Sequence, residues 1–88
     1  MLRITTLAGN SAGPILRLEG KLLGPWVDEV RRACAELAAS PGRLHLDLAA
    51  VTFVDTAGAR LLRELLQRDV ALAACSGFVA ALLERERS

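Results

Sequence analysis

The sequence predicts an α/β fold in which helices pack on a mixed four-stranded sheet. Three observations predict it. Apolar and polar residues alternate along several short segments, as they do in half-buried strands. Other segments repeat apolar residues at every third or fourth position, as helices do when one side faces a core. Segments of the two kinds follow one another along most of the chain, which favours parallel strands joined by crossover helices.

The composition favours one small domain spanning residues 1–88. A chain of this length buries roughly 60 to 70 per cent of its unfolded surface, which is enough for one modest core. No apolar run approaches the roughly 18 residues that a membrane span needs. The first ten residues lack the basic and apolar blocks of a signal peptide. We therefore expect a cytoplasmic protein with no direct membrane insertion.

The first two predicted strands are Leu2–Thr6 and Ile15–Glu19. The residues between them, Ala8–Pro14, are dense in turn formers. A connection of this length cannot hold a crossover helix, so the two strands should be antiparallel. Gly20 is expected to end the second strand or to place a bulge in it.

The first helix is predicted over Pro25–Ala39. Gly24 suits the N-cap, proline suits the first helical position, and two acidic residues follow in the first turn. Ser40, with the proline and glycine that follow it, should end the helix. Its apolar stripe consists of Val27, Val30, Cys34 and Leu37.

A strand, a sharp turn and a second helix come next. The strand is predicted over Leu44–Leu48 and the helix over Ala57–Arg68. In the turn between them, Asp55 or Thr56 can cap the helix by accepting a hydrogen bond from one of its first N–H groups. An exposed hydroxyl at this point is also well placed for a phosphate. The apolar side of the helix consists of Leu61, Leu62, Leu65 and Leu66.

The run Val70–Cys75 predicts a buried fourth strand, assigned to Val70–Ala74. A last amphipathic helix should follow. Its apolar positions are Phe78, Val79, Leu82 and Leu83.

The segment LDLAAVTFVDTAGARLL resembles the signature of STAS domains, the fold of anti-sigma factor antagonists. In that family, Asp-Ser-Ser-Gly or Asp-Thr-Gly-Gly opens a helix directly after a strand. The resemblance implies that Thr56 is the phosphorylation or partner-contact position and that Asp55 and Gly58 flank it. The chain departs from the pattern by Thr in place of the usual Ser, and by Ala57 and Ala59. STAS domains usually continue with another strand and a longer terminal helix, so the resemblance implies a fold shortened at its C-terminus, either as a shortened member or as a truncated one.

The resemblance implies a non-enzymatic bacterial regulatory module that binds an anti-sigma factor or Ser/Thr kinase and carries a phospho-switch at Thr56. The rim of the contact would include Ala57, Arg60 and Arg63. An alternative is the small cytoplasmic STAS subunit of a lipid-transporting ABC complex, in which the threonine contacts the ATPase. A scaffold subunit of a larger signalling assembly is a third reading. A homodimer is compatible with all three.

The residues themselves argue against several other classes. The net charge is only +1, whereas a nucleic-acid binder usually carries a strongly basic patch. Cys34 and Cys75 lie far apart without metal-ligand spacing, so we expect free thiols and no metal site. His45 and Asp47 have no nucleophile to complete an acid/base constellation, and Asp47 is expected to be solvated or hydrogen-bonded. We therefore predict no enzyme activity and no cofactor.

Overall fold

The computed structural model describes residues 2–7, 13–39, 42–68 and 70–87. The predicted turn formers at 8–12 and the helix stop at Ser40 and Pro41 lie outside these residues. The elements in chain order are β1 (Leu2–Leu7), β2 (Ile15–Leu22), a 3₁₀ turn (Gly24–Trp26), α1 (Val27–Ala38), β3 (His45–Val54), α2 (Thr56–Gln67), β4 (Ala71–Cys75) and α3 (Gly77–Arg87).

The four strands form one mixed sheet in the order β1-β2-β3-β4. β1 is antiparallel to β2, whereas β2, β3 and β4 are parallel to one another. The predicted α/β fold with a mixed four-stranded sheet and an antiparallel first strand is therefore confirmed. α1 and α2 are the crossover connections between the parallel strands, so all three helices begin at the carboxyl end of a parallel strand.

β3 continues well beyond its predicted end. The prediction stopped at Leu48, where the alternation of leucines ceases, but the strand runs to Val54. Its buried residues Leu48, Val51 and Val54 are spaced by three positions instead of two. This spacing hid the second half of the strand from a search for period-two alternation.

The register between β2 and β3 explains the spacing. Arg17 pairs with Asp47, but Glu19 pairs with Ala50, so β3 has one extra residue there. A second register shift follows at Gly20, which has a φ of 101°. An extra residue in a strand is a β-bulge, and it moves the following side chains to the other side of the sheet. Both extra residues lie in β3, the second of them opposite the step from Gly20 to Lys21, and β2 continues beyond its predicted end at Glu19 to Leu22.

The predicted buried faces of α1 and α2 are confirmed. α1 buries Val30 and Cys34, while α2 buries three of its predicted leucines and packs the fourth partly against the core. A 3₁₀ turn that contains the proline precedes α1, so the α-helix begins two residues later than predicted. The core cluster consists of Leu2, Leu16, Leu18, Leu22, Val30, Cys34, Leu44, Leu46, Leu48, Val51, Val54, Ala59, Leu61, Leu62, Leu65 and Val79.

β4 is not the buried strand that its apolar run predicted. It lies at the edge of the sheet, and its three central residues, Leu72, Ala73 and Ala74, are exposed. An apolar run of five or six residues fits an edge strand of small side chains as well as it fits a central strand. The prediction was wrong because composition does not report where a strand lies in its sheet.

Both cysteines are free thiols. Cys34 lies in the core, where burial raises its pKa to about 11. The thiol therefore stays protonated at neutral pH and behaves as a small apolar side chain. Cys75, at the end of β4, is only half-buried.

Within the described ranges, none of the helices combines the length and the apolar character that crossing a membrane requires.

Candidate functional site

Asp55 is the junction between β3 and α2. Its backbone is extended, with φ −83° and ψ −177°, and its carboxylate oxygen Oδ1 accepts a hydrogen bond of 2.8 Å from the N–H of Gly58. This is the geometry of an N-cap, in which a side chain satisfies one of the first unpaired N–H groups of a helix. The sequence left open whether Asp55 or Thr56 caps α2, and the structure assigns the cap to Asp55.

The same carboxylate also ties α2 to the start of the first crossover. Its second oxygen, Oδ2, accepts a hydrogen bond of 2.8 Å from the N–H of Gly24, which opens the 3₁₀ turn. The N–H of Asp55 donates to the carbonyl oxygen of Leu22 at 3.2 Å. Asp55 therefore joins the carboxyl ends of β2 and β3 and fixes the position from which α2 begins.

Hydrogen bonds from Gly58 and then Gly24 hold the pKa of Asp55 below its ordinary value of 3.8. A carboxyl group whose pKa is lower in the folded protein stabilises the fold above its unfolded pKa. That contribution is lost as pH falls through the folded pKa. We therefore expect the protein to lose stability below about pH 4.

The test is thermal melting between about pH 2 and pH 7 for wild type and Asp55→Asn. The asparagine cannot titrate, so the fall in melting temperature at acid pH should become shallower, and the variant should be less stable than wild type at pH 7. An unchanged acid profile would show that other carboxylates govern acid unfolding.

Gly58 lies where the start of α2 packs tightly against the end of β2. A Cβ atom at this position would lie 2.6 Å from the carbonyl oxygen of Leu22 and 2.9 Å from a side-chain carbon of Val54. Gly58 is buried, and its N–H is the donor to the Asp55 cap. Gly58, which flanks the predicted contact position, therefore serves the packing of the helix start and is not itself on the surface.

We expect Gly58→Ala to destabilise the fold by about 1–3 kcal/mol, the usual range for forcing an extra carbon into a packed site. The matched control is Gly77→Ala. Gly77 also lies in the first turn of a helix but has no atom within 4 Å of a built Cβ. Urea denaturation of both variants checks this, and equal midpoints would contradict the close approach at Gly58.

Thr56 is exposed and is the first residue of α2. It lines a shallow depression of about 320 Å³ between α2 and α3. Arg60 and Arg63, which the sequence indicated as rim residues, line the same depression and are exposed. Ala57 is exposed beside it. The depression is lined by Val54, Asp55, Thr56, Ala59, Arg60, Arg63 and Leu82.

The sequence analysis missed an aromatic pair near this site. Phe53 and Phe78 are 43% and 40% exposed, and their ring centroids lie 5.6 Å apart. Phe53 was missed because it lies in the unpredicted half of β3. Phe78 was assigned to the apolar side of the last helix, but Val79 is the residue buried there. The sequence did offer one signal for the pair: the chain has only three aromatic residues, and two of them are these phenylalanines.

Of the two residues considered for acid/base chemistry, Asp47 has structural partners for its side chain. The Asp47 carboxylate pairs with Arg17 at 3.2 Å and accepts a hydrogen bond from the N–H of Ala49. The Nδ1 atom of His45 is buried and makes no hydrogen bond to the described residues. Among those residues, no three His, Cys, Asp or Glu side chains are grouped as metal ligands would be.

A protein-family model described as "Mlab, STAS domain" matches residues 5–87. No curated protein sequence matches the chain. The family match covers nearly the whole chain, including the capped turn and α2, and the mixed sheet is consistent with the family's fold. The chain therefore belongs to the STAS domain family.

Proposed function

We propose that this chain is a non-enzymatic protein-binding module whose partner docks around the exposed side chain of Thr56. STAS domains generally mediate protein–protein interactions. The observation that carries the proposal is the division of roles at the turn. Asp55 caps α2 and anchors it to Gly24, so the neighbouring hydroxyl is not needed for the cap and stands exposed beside a surface depression.

One role for such a module is that of an anti-sigma factor antagonist switched by phosphorylation of Thr56. A phosphate there would lie at a helix N-terminus, which favours negative charge. It would also lie beside Asp55, whose carboxylate is ionised at neutral pH and repels a second negative charge. The modification would therefore act mainly on a partner that packs against the neutral hydroxyl, and less on the fold.

The second role is that of the small STAS subunit of a lipid-transporting ABC complex, with Thr56 in contact with the ATPase. Two observations favour it. The Asp55-Thr56 pair fits the Asp-Thr members of the family better than the Asp-Ser-Ser members. The family model that matches the chain carries the name Mlab. In this role the threonine is a permanent contact and needs no phosphate.

Photo-cross-linking tests the docking position and separates the two roles. A photoreactive phenylalanine analogue is placed at Ala57, the exposed neighbour of Thr56, in one variant and at Glu36 in another, and cells of the native host are irradiated. Glu36 is exposed near the end of α1, roughly 14 Å along the helix from its start. We expect the variant at Ala57 alone to capture one major protein.

Mass spectrometry of the captured protein decides the role. A kinase-type anti-sigma factor, together with phosphate on Thr56 in the native chain, would support the first role. A transporter ATPase would support the second. Equal capture at both positions, or at neither, would contradict docking at Thr56.

A further inference from the structure

The aromatic pair has the properties of an interface anchor. Phe53 and Phe78 are packed against each other at an angle of 38° and remain about 40% exposed. Aromatic residues are enriched in the buried centres of protein interfaces, where they contribute large apolar area at little cost in side-chain entropy. Leu72, on β4, is the third large apolar residue of the described chain with comparable exposure.

The pair is continuous with the surface around Thr56. Phe78 and Leu82 are four residues apart on α3, so they are neighbours on one side of that helix. Leu82 lines the depression together with Thr56 and Arg60. A partner that covers Thr56 therefore needs to extend by only one helical turn along α3 to reach the two rings.

Two exposed basic residues, Lys21 and Arg60, flank this surface. Lys21 is exposed and lies opposite Phe53 in the register of β2 and β3. Arg60 is exposed on the other side, at the depression. Asp55 is the one acidic residue among those lining the depression, and both its oxygens accept backbone hydrogen bonds. The N-termini of α2 and α3 lie at this end of the molecule and add partial positive charge.

We propose that Phe53, Phe78, Leu82, Lys21 and Arg60 form a docking surface for an acidic amphipathic segment of the partner protein. This inference rests on the proposed function, because the same partner would cover Thr56. The apolar side of the segment would cover the rings, and its acidic residues would face Lys21 and Arg60. A second copy fits less well, since a symmetric dimer would bring the basic rims of two copies together.

The direct test uses two designed helical peptides of about 18 residues with the same apolar side and with either glutamate or lysine on the polar side. Each is titrated into the ¹⁵N-labelled protein. We expect the glutamate peptide to bind at least tenfold more tightly, with the largest amide shifts at Phe53, Phe78 and Leu82.

Variants test the contribution of the aromatic pair separately from that of the basic residues. Phe53→Ala and Phe78→Ala should each weaken glutamate-peptide binding at least tenfold, whereas Leu72→Ala, equally exposed on β4, should leave it unchanged. The double variant Lys21→Glu/Arg60→Glu should prefer the lysine peptide. Both substituted residues are exposed, so the double variant tests the charges even if a phenylalanine variant proves less stable than wild type.

Several results would overturn the inference. One is equal affinity for the two peptides, and another is amide shifts centred on other residues. A third is self-association of the wild type that is lost in Phe78→Ala, which would make a second copy the occupant. Tighter binding to phosphatidylglycerol vesicles than to the glutamate peptide would assign the surface to a membrane. With the cross-linked partner, loss of binding in Thr56→Glu but not in Phe53→Ala would refute this inference alone. The reverse pattern would support it and refute docking centred on Thr56.

Discussion

Leu62→Ala is expected to lower the free energy of unfolding by about 2–5 kcal/mol. Leu62 has no exposed surface and lies on the side of α2 that packs into the core. Removing its branched end loses the transfer free energy of the deleted carbons and leaves a cavity that the surrounding side chains fill only in part. Leu65→Ala, one turn later, is expected to fall in the same range.

The matched control is Arg63→Ala. Arg63 neighbours Leu62 in sequence but is exposed, and an exposed ion pair contributes at most about 1 kcal/mol. Urea denaturation followed by circular dichroism gives the midpoints and slopes for all three variants. Equal midpoints for Leu62→Ala and Arg63→Ala would mean that the buried side of α2 is assigned wrongly.

The local features of α2 could be predicted from the sequence because they depend on neighbouring residues. Leucines at helical spacing fix which side is buried. An acid followed three residues later by Gly58 fixes the cap and the start of the helix. Both features are set within one or two turns of chain. The prediction of the helix was accordingly one residue from the observed start and end.

Features set by distant residues could not be predicted. The bulges in β3 depend on its register with β2, about 30 residues earlier. The second hydrogen bond of Asp55, to Gly24, also spans 31 positions. A single sequence contains no direct signal for such pairs. The sequence therefore indicated only a helix cap, whereas in the structure the Asp55 carboxylate also joins the start of α2 to the 3₁₀ turn before α1. The same limit hid the contact between Phe53 and Phe78.

The two hydrogen bonds of the Asp55 carboxylate affect how Thr56 can act. Because the Asp55 carboxylate holds the helix start from two sides, the position of Thr56 is fixed before any partner binds. A preorganised contact loses less conformational entropy on binding than a mobile loop does. A change at Thr56 should consequently alter the surface presented to the partner while leaving the core leucines of α2 in place.

Thr56→Glu is expected to weaken partner binding at least a hundredfold while leaving the fold intact. If the hydroxyl packs closely against the partner, the added carboxylate must be buried unpaired or beside Asp55, which costs several kcal/mol. Each 1.4 kcal/mol is about a factor of ten in affinity. Stability should change by no more than about 0.3–1 kcal/mol, because the first turn of a helix tolerates or mildly favours a negative charge while the Asp55 carboxylate opposes it.

Thr56→Ala separates charge from shape, since it removes the hydroxyl and methyl without adding charge, and it should weaken binding less than Thr56→Glu. The measurement is calorimetric affinity for the cross-linked partner beside thermal melting, for wild type and both variants. Wild-type affinity in Thr56→Glu would show that the partner docks elsewhere. A collapse of its melting temperature would show that Thr56 supports the helix start, and in either case the role of Thr56 as the centre of docking is wrong.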